Sequence, residues 1–269
     1  MKKELLRENI DFIRIFLFFV LFKDVNKTCN YFSVSRTSFL QALNNIEKNF
    51  RLNLFIDRRN YYLTDDGKTF FDYSYNLLIL LKKTFYFKKN FLDIGYLELL
   101  SKKDILNLCK YVYTNTFLKL SFTLFEEDEI LKLVYLNELD FGVVSYINQE
   151  YFYLEYIKLD YLSFKWNLYS KKDDFYGYAQ YIYKFISELF LNKNVIIKSN
   201  NLDFILECIK TNKLASYLPD YISNKDEQLL TLEKTNINTN LYLTYNSRII
   251  NDTHNLFIKV IKSLFCENS

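Results

Sequence analysis

Arg36, Thr37, Ser38, Gln41, Asn44, Asn45 and Lys48 occupy one side of a segment whose other side is Phe39, Leu43, Ile46 and Phe50, with Ala42 beside them. Intervals of three and four are those of a helix. Ser35 stands where its N-cap belongs, so the polar residues crowd the first turns. Guanidinium forks, side-chain amides and hydroxyls placed this way match the donors and acceptors on base edges in a major groove. A little further on, Arg58 and Arg59 stand side by side in the turn Asp57-Arg58-Arg59-Asn60. Two adjacent guanidinium groups with Asp57 as the only neighbouring acid resist burial, and phosphates or a minor groove suit them better.

Other chemistries find little material. A single histidine, His254, leaves almost nothing for imidazole catalysis and no histidine metal cluster, and neither a nucleophile with its base nor a carboxylate pair can be read from the spacing. With 4 glycines and no Gly-x-Gly-x-x-Gly or Gly-Lys-Ser/Thr run, a phosphate-cradling loop is not expected. Cys29, Cys109, Cys208 and Cys266 lie far apart, which points to a reducing compartment and small core side chains. Lys2 and Lys3 ahead of the apolar run Ile15 to Phe22 imitate a signal peptide, but Glu4, Glu8 and Asp11 intervene and the run falls well short of the roughly 18 residues of a membrane span. The expectation is a cytoplasmic protein that is not an enzyme, has no cofactor or metal, and has no membrane partner.

The elements that must carry the polar helix follow from the remaining pattern. The chain has 269 residues, 50% hydrophobic and 25% charged, with 24 Tyr and 26 Phe spread throughout, material for two domains at about 100 to 200 residues each. Charge divides them. Residues 1 to 90 hold 16 basic and 9 acidic side chains, whereas the remainder holds 19 and 23, and six of the seven arginines lie in the first 59 residues. A basic unit joined to a mildly acidic one suits nucleic-acid binding coupled to a sensing or assembly part.

Within the basic part, Ile10, Ile13, Phe16, Leu17, Val20 and Leu21 give a helix over 10 to 22, residues 25 to 32 a second, and Ser33-Val34-Ser35 a turn into the polar third. Leu52 to Ile56 and Tyr61 to Leu63 read as two short strands around the arginine turn, which completes a winged helix-turn-helix. Thr64 caps a long helix from Asp65 to about Lys89. Its Phe70, Leu77, Leu78, Leu81 and Phe85 form a stripe suited to pairing with a second copy.

The run Val34-Ser35, Phe39, Leu43, Ile46-Glu47, Phe50, Leu52, Leu54-Phe55 and Leu63-Thr64-Asp65-Asp66-Gly67 resembles the DNA-binding domain of LysR-type transcriptional regulators. The chain departs from that pattern with Thr28-Cys29 in place of Ala-Ala, Thr37 in place of a frequent proline, and a wing about one residue short. The resemblance continues through Asp93-Ile94-Gly95, Leu118 to Phe125, a helix from Glu127 to Leu136, Glu138 to Val144, Val195 to Ser199, Leu202 to Thr211, Leu214 to Pro219, Leu241 to Tyr245 and Asn255 to Phe265.

It implies an α/β protein: a winged helix-turn-helix over 1–64, a linker and dimerisation helix over 65–90, and an effector-binding domain over 91–269 similar to periplasmic binding proteins. Subdomain I would take about 91–155 and 226–269, and subdomain II about 156–225. Ligands of such sheets sit beyond the carboxyl ends of strands, which makes Gly95, Tyr96, Leu97, Phe125, Glu126, Ser145, Ser199 and Asn200 the candidate effector residues. Many members hold an effector carboxylate with a Ser or Thr after the first strand. Tyr96-Leu97-Glu98 stands there instead and would repel an anion. Tyr176, Tyr178, Tyr181 and Tyr183 suit either a pocket wall or a covered sheet edge, the structural role being favoured, and Trp166 reads as core rather than as a ligand platform.

The expected function is a sequence-specific regulator that binds double-stranded DNA at dyad-symmetric sites as a dimer or tetramer, with an unidentified small-molecule effector as a possible further partner. Ser35, Arg36, Thr37, Ser38, Gln41, Asn44, Asn45, Arg58 and Arg59 would contact DNA. The alternative is an interaction or assembly protein that keeps the fold without sensing, and binds DNA constitutively or not at all.

Overall fold

The computed structural model describes residues 2–57, 60–85, 91–100, 102–222 and 229–266. Helices α1 (Lys2–Phe22), α2 (Val25–Phe32) and α3 (Arg36–Phe50) pack around Phe16, Phe19, Phe39, Ala42, Leu43 and Ile46, all buried. Phe19 meets Phe39 edge-on at 4.9 Å and Tyr61 at 4.6 Å, so aromatic geometry joins α1 to α3 and to the wing. Thr28 is fully buried, and its hydroxyl donates to the Asp24 carbonyl at 2.7 Å, which satisfies a polar group where a small apolar residue would also fit.

Strands β1 (Phe55–Asp57) and β2 (Tyr62–Leu63) form the wing, with an irregular register between Phe55 and Asp57. Two residues of the motif, Glu47 and Gly67, have local physical roles. The Glu47 carboxylate accepts from the Leu54 amide at 2.9 Å and ties α3 to the approach to β1. Helix α4 (Asp65–Phe85) is capped by the Thr64 hydroxyl, which accepts from the Gly67 amide at 2.8 Å, and a Cβ at Gly67 would collide with the Leu54 carbonyl. Only glycine lets α4 start so close to the wing.

The remaining strands share one eight-stranded sheet in the order β4-β3-β5-β10-β6-β9-β7-β8. They are β3 (Phe91–Tyr96), β4 (Lys119–Leu124), β5 (Phe141–Val144), β6 (Leu154–Ser170), β7 (Gly177–Tyr181), β8 (Val195–Ser199), β9 (Leu214–Pro219) and β10 (Leu230–Asn246). Strands β3, β4 and β5 run parallel at one end, and β7, β8 and β9 at the other. The 17-residue strands β6 and β10 pair antiparallel and run through both ends. Register breaks between Lys234 and Asn238 and between Thr239 and Leu241 let the sheet turn there, and the buried Trp166 indole N–H donates to Thr239 at 2.9 Å across the break.

Both halves therefore draw on the two long strands, and position 155 lies near the start of β6. Helices α5 (Lys102–Thr116), α6 (Glu127–Tyr135) and α8 (Asp252–Phe265) pack on the first half, and α7 (Leu202–Thr211) on the second. His254 is buried in the first half, between Asp140 at 3.4 Å and Asn251 at 2.7 Å, where it packs with the core.

Candidate DNA interface and effector cleft

Helix α3 places its polar residues as its period requires. Ser35 caps it, accepting from the Ser38 amide at 3.0 Å, while Ser33 ends α2 in the left-handed region with φ 53°. Arg36, Thr37, Ser38, Gln41 and Asn44 are exposed and Asn45 is half-buried, so the N-terminal half of α3 offers a continuous row of donors and acceptors. Arg58 and Arg59 lie outside the described residues. On the wing that frames them, the Tyr61 amide donates to the Asp57 carbonyl at 2.8 Å and the Asn60 side chain to the Asp57 carboxylate at 3.2 Å.

The expected stripe on α4 needs correction. Leu78 is only 4% exposed and Leu81 half-buried, because α4 lies along its own chain: Tyr75 on the same side donates to the Tyr135 carbonyl at 3.1 Å and stacks on the Tyr135 ring at 4.6 Å. The side chain of Phe85 lies outside the described residues. What faces solvent is Tyr73, Leu77 and Leu80, at 72%, 41% and 61% exposure and at helical spacing. Leu77 alone is common to both stripes.

A buried ion cluster joins the basic unit to the sheet. Glu138, 12% exposed, accepts from Arg14 of α1 at 3.0 Å, lies 3.3 Å from Lys82 of α4, and receives the Tyr31 hydroxyl of α2 at 3.3 Å. Burial works to raise the Glu138 carboxyl, but the charges of Lys82 and Arg14 outweigh it and hold the group below the usual carboxylate range. Burial draws the Lys82 ammonium below the ordinary lysine value in spite of Glu138. Nearby, Lys27 of α2 meets Glu129 of α6 at 3.0 Å. None of these partners was foreseeable from spacing, since 124 residues separate Arg14 from Glu138.

A cleft of about 930 Å³ opens beyond the carboxyl ends of β3, β4, β7 and β8. Five expected residues line it: Leu97, Phe125, Glu126, Ser199 and Asn200. Three do not. Gly95 lies beneath the packing of α6, where a Cβ would strike Leu139; Tyr96 alternates to the other side of its strand against Phe122; and Ser145 is buried, with its amide donating to Glu127. The further lining residues are chiefly acidic and aromatic: Glu98, already marked as an anion-repelling carboxylate, Tyr181 and Tyr183, already weighed as a pocket wall, and Glu127, Asp128, Glu129 and Tyr146, which the sequence did not mark. Glu98 crosses the cleft and accepts from the Leu202 amide at the start of α7 at 2.9 Å. Burial pushes its carboxyl upward.

Full-length CbnR complexed with its target DNA superposes on the chain with a TM-score of 0.54 at 11% identity, over 94% of this chain and 99% of that one. The fold is that of full-length LysR-family regulators. A variant of full-length OxyR from Pseudomonas aeruginosa also matches, with a TM-score of 0.60 at 10% identity, over 96% of this chain and 95% of that one. HinK, a LysR family transcriptional regulator from Pseudomonas aeruginosa, matches with a TM-score of 0.53 at 13% identity, over 95% and 98% of the two chains. No protein-family model matches the sequence, and no curated protein does. Within the LysR-type fold, the winged helix-turn-helix, the linker helix and the two-part sheet keep their order along the chain, and no described helix is long and apolar enough to cross a membrane.

Proposed function

We propose that the chain is a sequence-specific DNA-binding transcriptional regulator that works as an oligomer, with 1–64 reading DNA, 65–90 pairing copies and 91–269 housing an effector cleft. The observation that carries this reading is the exposed row Arg36, Thr37, Ser38, Gln41 and Asn44 on a helix fixed at its start by the Ser35 cap and near its end by the Glu47 tether. Such a helix has its energy invested in position, and its exposed polar side chains can meet bases, with Ser38 also hydrogen-bonded to the Ser35 hydroxyl at 2.9 Å. Structural likeness to a regulator complexed with its target DNA supports the same reading.

Substitution in α3 tests it. A base-reading side chain contributes about 1 to 3 kcal/mol at its own base pair, whereas a phosphate contact weakens all sequences alike. Gln41→Ala and Arg36→Ala are expected to lower affinity for a selected operator by about tenfold or more while leaving random DNA nearly unchanged. Fluorescence anisotropy on the two duplexes reads the difference. Equal losses on both would assign these residues to the phosphate backbone, and no loss on either would remove α3 from the interface.

A further inference from the structure

We propose that the cleft binds an extended organic cation, a linear polyamine or guanidino-amine, rather than an anionic effector. The proposal rests on reading this cleft as the effector site and names the class of ligand it takes. Three observations carry it.

First, the donor positions an anion would use are already taken. The backbone N–H that opens α7 is held by the Glu98 carboxylate at 2.9 Å, and the start of α6 carries Glu126, Glu127, Asp128 and Glu129 in succession. The lining holds five carboxylates and the ammonium of Lys198, and Lys27 pairs with one of the five, Glu129, from α2, so a carboxylate or phosphate entering it still meets an excess of its own sign.

Second, the walls carry aromatic rings. Phe125, Tyr146, Tyr181 and Tyr183 line the same cleft, and Tyr181 and Tyr183 stack at 6.3 Å in a row that continues to Trp166, 5.3 Å from Tyr183. Burial raises the Tyr181 and Tyr183 hydroxyls well above the ordinary phenol value, so both rings stay neutral. Neutral ring faces beside carboxylates are the surroundings in which an ammonium or guanidinium is held. Beneath them the Ser145 hydroxyl is fully buried beside the Tyr183 hydroxyl.

Third, the chain displays this chemistry with a cation of its own. Lys27 reaches the cleft-lining carboxylate of Glu129 at 3.0 Å, and its ammonium lies 5.0 Å from the centre of the Phe22 ring. The carboxylates form two groups, four at the start of α6 and Glu98 across the cleft at the start of α7. Among the described residues no three acidic, histidine or cysteine side chains converge as a metal ion requires. A ligand with charges separated along a chain fits that distribution, and about 930 Å³ has room for it. Since Lys27 belongs to α2, a ligand ammonium that competes for Glu129 acts directly on the helix-turn-helix.

The test is calorimetric titration of the full chain, without DNA, with spermidine, agmatine, Mg²⁺ and benzoate as separate probes. The expected result is one saturable site for spermidine or agmatine, weakened about tenfold or more in the Glu126→Gln/Asp128→Asn variant, whose two positions are exposed and leave the core untouched. Tyr146→Leu should weaken it in the same direction. No saturable binding of either amine, binding unaffected by the acidic variant, or tighter binding of Mg²⁺ or benzoate would overturn the proposal. DNA binding is scored separately with the α3 variants. A cleft that rejects amines while the chain still binds its operator overturns the ligand class alone, and a chain that binds amines but no DNA overturns the regulator reading alone.

Discussion

Glu138→Leu is expected to lower the unfolding free energy by about 3 kcal/mol, because it leaves Lys82, and in part Arg14, as buried charge without compensation. The low end of the usual range applies, since Arg14 keeps Asp11 at 3.7 Å and is about one-third exposed. The Lys82 ammonium also reaches the Leu136 and Asn137 carbonyls, which hold it in place once the carboxylate is gone. Urea denaturation of wild type and variant gives the difference directly, and a loss under about 1 kcal/mol would mean that the cluster is a solvated surface contact.

The pH dependence follows with its own sign. A carboxyl held below its unfolded value stabilises the fold above that unfolded value, and loses this contribution as pH falls through the folded one. Wild type should therefore lose stability on acidification below about pH 4, and Glu138→Gln should lose correspondingly less.

The second large effect concerns assembly. Leu77 and Leu80 face solvent on α4 beside Tyr73, so changing both leucines to Lys removes apolar contact between copies without opening a cavity within one. The double variant should be monomeric by light scattering where the wild type is dimeric. Its affinity for a two-half-site operator should fall on the order of 10²- to 10⁴-fold, since each helix-turn-helix then binds alone. Leu78→Lys is a different experiment. Leu78 is buried against its own chain, so its loss destabilises the protomer and says little about pairing.

Legibility in the sequence followed the range of the interactions. The Ser35 cap, the helical period of Phe39, Leu43 and Ile46, and the Thr64 start of α4 are local, and each is found where the residues place it. The cleft was half legible. Leu97, Phe125, Glu126, Ser199 and Asn200 sit at strand ends, which topology alone marks, but Glu127, Asp128 and Glu129 read as an ordinary acidic first turn of a helix until the cleft wall is built around them. Tyr181 and Tyr183 stood out in a Tyr-rich stretch that suited either a pocket wall or structural cover, and they serve both as core and as cleft wall.

The 17-residue strands β6 and β10 were missed along most of their length because register breaks and alternating Lys, Asn and Thr interrupt the apolar pattern. The stripe on α4 was misassigned for a related reason. Both of its sides are apolar, and only the fold shows that Leu78 and Ile79 face the chain itself while Leu77 and Leu80 do not. The Glu138 cluster depends wholly on tertiary placement, as partners 56 and 124 residues away leave no local signal.

Selection of bound fragments from the source genome by the purified chain tests the central claim most directly. A regulator that reads bases through α3 should recover a small set of sites with dyad symmetry, each half-site one helical turn of DNA from the next, and should lose that enrichment with Gln41→Ala. Fragments recovered without a common sequence, or the same enrichment from the Gln41→Ala chain, would contradict it.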